Sequence, residues 1–351
     1  MKIILLLILS IYFYSSLVTT QDGMNTDPVI CNIGGQMWNS SYILNINELP
    51  KRCDIFIVGQ FAFDRDDCTY VMEADENIIQ SLSEANKIVF LSIGFIDEDD
   101  WSSIFDPPDI DLYNTQKFNP LVEFLNKYKI GGLIINFRDI YVNVKIENLA
   151  QKIGDFAASI KKEIDGLIVG LIITGLNYKM FPDNTLFDFT LTNDILDTYF
   201  IDFSFLNECD ENSKKTGVSP ITSETMTSIE QVTCAVMSSS MDKSKIYALI
   251  QVTVIIPKSL VAEFDKEITT YSIYCGSNDL ANSHQLCANP SKLSYDQGAY
   301  AKQFYIGIFL DSLDADDYEC GCGCGKFPVS NAIIDGWESC TFTECSKIDQ
   351  S

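Results

Sequence analysis

The feature that most constrains this fold is a series of eight short apolar runs spread along a chain of 351 residues. Each run is rich in β-branched and aromatic residues, and helical or loop stretches separate the runs. Continuous apolar runs of this kind are typical of parallel strands that are buried on both faces. The runs lie at residues 28–34, 54–63, 87–95, 131–137, 166–174, 199–206, 245–255 and 304–313.

Amphipathic stretches precede three of these runs, with apolar residues at helical spacing that predict core-facing helices. Eight buried strands alternating with helices predict a (β/α)8 barrel. A doubly wound open sheet is the alternative, but it usually carries a phosphate-binding glycine turn after an early strand, and none is present here. The stripes are Ile78, Ile79, Leu82 and Ala85; Leu121, Phe124, Leu125 and Tyr128; and Leu149, Ile153, Phe156 and Ile160.

The N-terminus has the layout of a signal peptide. Met1 and Lys2 precede an apolar run that ends near Tyr14, and small residues lead to a cleavage site before Gln21. A membrane anchor is the alternative, but a spanning helix needs roughly 20 apolar residues and this run is shorter. We therefore expect residues 1–20 to be removed and residues 21–351 to form a single secreted barrel domain with a cysteine-rich C-terminal segment.

Cysteine usage agrees with secretion, because twelve cysteines follow the leader and an even set predicts six disulfides. A metal site is the alternative, since Cys320, Cys322 and Cys324 alternate. Zinc sites normally use C-x2-C spacing and often histidine, and the only histidine is His284. Disulfides are favoured, and we expect no metal and no cofactor. Asn39 begins the one N-glycosylation sequon.

The formal net charge of −25 argues against nucleic acid and anionic membranes as partners, because a polyanion is repelled by both. Solubility is the simpler explanation of most of this charge. The sequence also lacks G-x-S-x-G, H-E-x-x-H and P-loop motifs, which removes the commonest hydrolase and nucleotide-binding signatures.

Three segments resemble glycoside hydrolase family 18, the chitinases. KIVFLSIGF (87–95) resembles the family's third strand, and FLNKYKIGGLIINFRD (124–139) resembles its fourth, FLxKYxFDGxDxDWE. The tail LDSLDADDYECGCGCGKFPVSNAIIDG (310–336) is similar to its eighth strand and last helix. The resemblance implies a (β/α)8 barrel with a ligand site at the carboxyl ends of the strands. Only about 40 residues separate Ile256 from Ser294, so we expect the family's α+β insertion to be reduced or absent.

The resemblance also implies a Cys31–Cys53 disulfide, at a place where the family commonly has one, between the ends of adjacent strands. Proximity in sequence predicts Cys209–Cys234 and Cys275–Cys287. Elimination pairs Cys68 with one of the five C-terminal cysteines, which are Cys320, Cys322, Cys324, Cys340 and Cys345.

In family 18 a glutamate at the end of strand four protonates the glycosidic oxygen while the substrate's own acetamido oxygen attacks the sugar. Upstream aspartates tune that glutamate, a tyrosine from strand six holds the acetamido carbonyl, and a tryptophan on strand eight packs under the sugar. The alignment places Gly131, Ile134 and Asn136 at the aspartates, Arg138 at the glutamate, Leu206 at the tyrosine and Asp311 at the tryptophan.

Arg138 cannot serve as the acid, because a guanidinium keeps its proton at any useful pH. Asp139 is a candidate replacement, but neighbours on a strand face opposite ways unless a bulge intervenes. The acidic residues 97–100 lie where loops of a barrel meet ligands, although a solvated loop explains them as well. The sequence therefore predicts a chain without the family's hydrolytic apparatus.

We expect a monomeric, catalytically inactive chitinase-like protein that binds a chitin oligosaccharide or a protein partner at the barrel mouth. A residual or altered glycosidase and a secreted scaffold or effector with no sugar ligand are the alternatives. Arg138 either contacts the sugar or is neutralised by Asp311, since an unpaired buried charge is expensive. The ligand-binding candidates are Trp38, Phe63, Trp101, Asn136, Arg138, Asn207 and Asp311, with core packing as the alternative for Phe63 and Phe137.

Overall fold

The eight apolar runs form the eight strands of a closed parallel barrel in the computed structural model. The structure describes residues 28–34, 45–63, 69–70, 73–94, 98–137, 146–182, 187–261, 268–276 and 286–349. The hydrogen-bonded order is β1-β8-β7-β6-β5-β4-β3-β2, and pairing of β1 with β2 closes the ring. The strands are β1 Val29–Ile33, β2 Ile55–Phe63, β3 Ile88–Gly94, β4 Gly132–Phe137, β5 Ile168–Thr174, β6 Thr198–Asp202, β7 Ile246–Gln251 and β8 Gly307–Asp311. The predicted (β/α)8 barrel is confirmed.

Alternate residues of each strand point into the barrel, where large apolar side chains fill the interior. Phe200 lies at the centre of this packing, with its ring 5.3 Å from that of Tyr247 and 5.2 Å from that of Phe309. The remaining strand residues face outward into a larger core beneath the helices. The interior cluster comprises Ile30, Ile55, Ile57, Phe90, Ile134, Ile172, Phe200, Tyr247, Leu249 and Phe309.

The helices cover the outer surface of the barrel, and the predicted stripes form their buried faces. Ile79 and Leu82, Leu121 and Leu125, and Ile153, Phe156 and Ile160 are all buried. Over the described residues, the β5–β6 connection holds only 3-10 turns, Gly175–Met180 and Phe189–Leu191. The α-helices are α1 Glu73–Glu84, α2 Glu98–Phe105, α3 Ile110–Tyr113, α4 Asn119–Lys127, α5 Leu149–Glu163, α6 Ser213–Thr216, α7 Ile229–Ser238, α8 Tyr271–Gly276, α9 Ser291–Phe304, α10 Pro328–Glu338 and α11 Ser346–Asp349.

The connection between β7 and α9 confirms the reduced insertion. Its described part contains a two-residue antiparallel pair, Val254–Ile255 with Ile268–Thr269, and the short helix α8. No described helix is long and apolar enough to cross a membrane. The predicted leader lies outside the described residues.

Four disulfides join eight of the described cysteines. Cys31–Cys53 is confirmed and links the middle of β1 to the segment before β2. The predicted pairs Cys209–Cys234 and Cys275–Cys287 are wrong, because sequence neighbours separate in space when strands and helices run between them. Two of the three cysteines in CGCGC are bridged, which agrees with disulfides at those positions. The other bonds are Cys209–Cys287, Cys275–Cys322 and Cys324–Cys345.

The expected set of six disulfides is therefore not reached among the described cysteines. Cys234, Cys320 and Cys340 are unpaired and exposed. Cys68 lies outside the described residues, so its predicted pairing stays a prediction.

Candidate functional site

Seven of the eight barrel strands present a polar side chain to the barrel interior near their carboxyl ends. Each of these residues lies two positions beyond a member of the interior cluster, so it shares the inward direction of that member. On β2 the same step from Ile57 reaches Gly59, which has a positive φ of 61°. We call the seven residues the polar ring: Asn32, Ser92, Asn136, Thr174, Asp202, Gln251 and Asp311.

Hydrogen bonds hold much of the ring in place. Asn32 Nδ2 donates to Asp311 Oδ1 at 2.8 Å, and Gln251 is in register with Asp311 on the neighbouring strand. Asp202 lies beside Thr174 and accepts the backbone N–H of Ser204 at 2.7 Å. Both aspartates are buried, with 4% of their surface exposed. The ring therefore places two carboxylates and several amides in a water-poor site, where polar interactions are stronger than in solution.

Two acceptors of the ring are left without a partner. The side-chain oxygens of Asn32 and Asn136 are buried and accept no hydrogen bond in the part of the chain that the structure describes. A buried acceptor without a donor is destabilising, and native proteins usually satisfy such groups with water or a ligand. These two oxygens are thus suited to accept N–H or O–H groups from a bound molecule.

Strand β4 carries the residues that the family resemblance placed at the catalytic positions. Ile134 is fully buried in the interior cluster, and Asn136 is half-buried in the ring above it. Gly131 precedes the strand and contributes only its backbone, donating to Val89 O at 2.9 Å and accepting from Ile168 N at 3.1 Å. Arg138 lies outside the described residues, as do Asp139 and Asp97, so its two proposed uses remain open.

Two of the predicted ligand contacts have structural roles instead. The assignment of Trp101 to ligand binding is wrong, because its side chain is completely buried outside the barrel. It stacks on Phe105 at 5.2 Å and meets Phe137 edge-on at 4.8 Å, which confirms Phe137 as a core residue. Asn207 ties its own loop together, since its amide donates to the carbonyls of Val218 and Thr227 at 2.8 Å.

Leu206 does not reach the ring. Strand β6 ends at Asp202, the chain then turns, and Leu206 is buried in the outer core, where it packs beside Gly175. The side chains of the acidic residues 98–100 and of Phe63 are not described, although 98–100 begin helix α2. Trp38, Asn39 and His284 lie outside the described residues.

Three buried aspartates after β8 accept hydrogen bonds from the segments around them. Asp314 accepts the backbone N–H of Gly34 at 3.1 Å, which joins the ends of β8 and β1. Asp316 is fully buried and accepts the N–H groups of Val329 and Ser330 at the start of α10. Burial raises the pKa of Asp316 to about 6, against the opposing effect of the hydrogen bonds from Ser330. Asp317 accepts from Ser272 Oγ, Gly321 N and Cys322 N.

Solved structures show which proteins share this fold. Catalytic domain 2 of a Group II chitinase from Ostrinia furnacalis is 13% identical, with a TM-score of 0.70 over 93% of this chain and 100% of that domain. A Glu-to-Leu variant of that domain has been solved in complex with the oligosaccharide (NAG)5. YKL-39, solved in the presence of chitooligosaccharides, is 13% identical, with a TM-score of 0.67 over 88% and 99% of the two chains.

A chitinase of glycoside hydrolase family 18 from Flavobacterium johnsoniae is 12% identical, with a TM-score of 0.61 over 89% and 94% of the two chains. The chain has the fold of the family 18 chitinases. No family model matches the sequence, and no curated protein matches it. At this level of identity the likeness establishes a chitinase fold, and the fold alone does not establish activity.

Five members of the ring were not predicted from the sequence: Asn32, Ser92, Thr174, Asp202 and Gln251. A signal for them exists, because each is a polar residue within a largely apolar run, in phase with the inward positions of its strand. In a chitinase fold this is the end of the barrel that faces ligands.

Proposed function

We propose that this chain is an extracellular binding protein for N-acetylglucosamine oligosaccharides that has lost the hydrolytic activity of its fold. The observation that carries the proposal is the inward face of β4, which ends in Ile134 and Asn136 where the family has two aspartates. The disulfides support an oxidising, extracellular location.

An isoleucine and an asparagine at these positions cannot supply what the family mechanism needs. The aspartates of an active enzyme exchange a proton with the catalytic glutamate and orient the acetamido group. Ile134 has no titratable group and Asn136 does not ionise in the useful pH range. The guanidinium of Arg138, two residues further along the sequence, does not release its proton to the leaving oxygen at any useful pH. The mechanism therefore lacks both its acid and the groups that tune it.

The same ring retains the means to bind. The unpartnered oxygen of Asn136 suits the acetamide N–H of N-acetylglucosamine, and that of Asn32 suits a hydroxyl. Asp202, Gln251 and Asp311 add further acceptors, of the kind that sugar hydroxyls contact. Two proteins with this fold, YKL-39 and the variant Ostrinia domain, have been studied with chitin oligosaccharides, which favours the same ligand class here.

Calorimetric titration of the purified full chain with tetra-N-acetylchitotetraose tests the proposal. We expect binding by the native chain and a loss of about tenfold or more in Asn136→Ala, since a buried amide that contacts the ligand is worth about 1.4 kcal/mol or more. Asn77→Ala is the matched control, because Asn77 is exposed on α1 and is not part of the polar ring. Equal affinity of the native chain and Asn136→Ala would remove Asn136 from the site.

An altered glycosidase is the second candidate, because Asp202 and Asp311 place two buried carboxylates at the ends of β6 and β8. Glycosidases of several families act with a pair of carboxyl groups. Release of shorter sugars from chitotetraose by the native chain, abolished in Asp202→Asn or Asp311→Asn, would establish this alternative. No release in any of the three proteins supports the binding role.

A further inference from the structure

Phe205 has an unusual backbone conformation at the rim of the polar ring. It follows β6 by three residues and adopts the left-handed region with a φ of 54°. This region is unfavourable for a bulky residue, because Cβ crowds the following carbonyl oxygen. The polar ring holds the conformation, since Ser204 N donates to Asp202 Oδ1 and Phe205 N donates to Gln251 Oε1 at 3.4 Å.

The strained backbone presents an aromatic ring to solvent. Phe205 is 37% exposed, although an aromatic side chain is normally most stable when buried. Neither the backbone conformation nor the exposure of this ring benefits folding. Strain and exposure of this kind concentrate at functional sites, which makes Phe205 a candidate for ligand contact.

A cavity of about 140 Å³ lies beside Phe205, between the loop after β6 and the segment after β7. Ile255, Ile256 and Val261 give it an apolar wall. Glu208 and Lys258 line its edge as an exposed ion pair with 2.6 Å between Oε1 and Nζ. An apolar wall with a charged edge matches a pyranose, which has an apolar C–H face and a rim of hydroxyl groups.

The cavity wall is rigid. The Cys209–Cys287 disulfide joins the loop after β6 to the segment before α9. Ile255 and Cys287 exchange two backbone hydrogen bonds of 2.9 Å, and Val218 packs beside them in a small separate core. A wall held in this way loses little conformational entropy when a ligand docks.

We propose that Phe205 is the stacking platform of a sugar subsite beside the polar ring, where one N-acetylglucosamine unit of the bound oligosaccharide packs its apolar face on the aromatic ring. The inference rests on the proposed function, because the subsite continues the polar ring through the contact between Phe205 and Gln251. The cavity is smaller than the 300 Å³ or so typical of sites that enclose a whole small molecule. It therefore holds one edge of the sugar, with Glu208 and Lys258 placed to contact hydroxyl groups.

The test is calorimetric titration of full-length variants with tetra-N-acetylchitotetraose. Phe205→Ala should bind about tenfold more weakly, the size of a central aromatic contact, and Phe205→Trp should restore binding. Phe304→Ala is the matched control, because Phe304 is 41% exposed at the end of α9, at the opposite end of the barrel. It should bind like the native chain.

A stability measurement separates binding from a structural role. Glycine adopts a positive φ without strain, so Phe205→Gly should melt at the native temperature or above it while binding the sugar weakly. A marked fall in melting temperature for Phe205→Gly would show a packing role and overturn the inference. If the native chain binds the sugar and Phe205→Ala binds it equally well, this subsite is overturned and the proposed function stands. If the native chain does not bind the sugar, the subsite and the proposed function are both overturned.

Discussion

The side-chain amide of Asn32 donates a 2.8 Å hydrogen bond to the carboxylate of Asp311 across the seam where β8 meets β1. This bond joins the last strand of the barrel to the first, between residues that are 279 positions apart in sequence. Asp314, which accepts from Gly34 N, ties the same two strand ends together a little further along. The seam is thus closed by polar contacts at the end of the barrel where the site lies.

Removal of the Asn32 side chain should weaken this seam. Asn32→Ala takes away a donor to a buried carboxylate, and we expect the free energy of unfolding to fall by about 1–3 kcal/mol. Urea denaturation of the purified chain measures the change. Asn77→Ala, on the exposed face of α1, should stay within about 0.5 kcal/mol of the native chain. A native-like midpoint for Asn32→Ala would show that the seam bond is dispensable.

The disulfide pattern provides a covalent test of the fold. Peptide mapping without reduction should recover Cys31–Cys53, Cys209–Cys287, Cys275–Cys322 and Cys324–Cys345. Alkylation before reduction should label the exposed thiol of Cys234. A peptide linking Cys209 to Cys234 would contradict the placement of the loop after β6.

The barrel could be predicted from the sequence because its strands are buried on both faces and appear as continuous apolar runs. All eight runs became strands, with bounds that differ by a few residues. Of the disulfides, Cys31–Cys53 could be predicted from the family resemblance, but proximity in sequence did not predict the others. Cys275 and Cys287 are 12 positions apart in sequence, yet Cys275 bonds Cys322, 47 positions away, because the chain between β7 and β8 folds back over the last loop.

Asp316 should make stability depend on pH. Burial raises the pKa of its carboxyl from 3.8 to about 6, so the folded state holds the proton more tightly than the unfolded state. The protonated carboxyl contributes its full stability below about pH 4. About 3 kcal/mol of the free energy of unfolding is then lost as the pH rises to about 6. Asparagine does not titrate, so Asp316→Asn should flatten this part of the curve. Urea midpoints between pH 4 and 7 test it, and equal slopes in both proteins would contradict the assignment.

Two glycines allow α9 and α10 to approach closely. A Cβ at Gly298 would lie 2.0 Å from the carbonyl oxygen of Ile333, and one at Gly336 would lie 1.9 Å from that of Tyr295. Gly298→Ala should therefore destabilise the chain by about 3 kcal/mol, because backbone has to move. At Gly276 an added methyl meets no described atom within 4 Å, so Gly276→Ala is the matched control. Thermal melting compares the two, and equal melting temperatures would argue against the close crossing.

The site was harder to predict than the fold, because its residues come from seven strands and one loop. Period-two alternation identifies inward positions only when the end of each strand is known. The family alignment places Leu206 at the tyrosine of the cleft, but strand β6 ends at Asp202 and the chain turns before Leu206. The sequence predicts Trp101 at the rim, but helix α2 directs its side chain into the core outside the barrel, where it packs against Phe105 and Phe137. The sequence alone does not show whether an aromatic residue near a strand end faces the cleft or the core.

The central claim is binding without hydrolysis, and one experiment tests both halves. The purified chain is incubated with tetra-N-acetylchitotetraose between pH 4 and 8, heat of binding is recorded, and the sugar is then analysed by chromatography. We expect saturable binding and unchanged tetrasaccharide. The same result is expected for Arg138→Glu, because Ile134 and Asn136 still lack the groups that the mechanism requires. Release of chitobiose by the native chain would contradict the account, and so would the absence of any measurable binding.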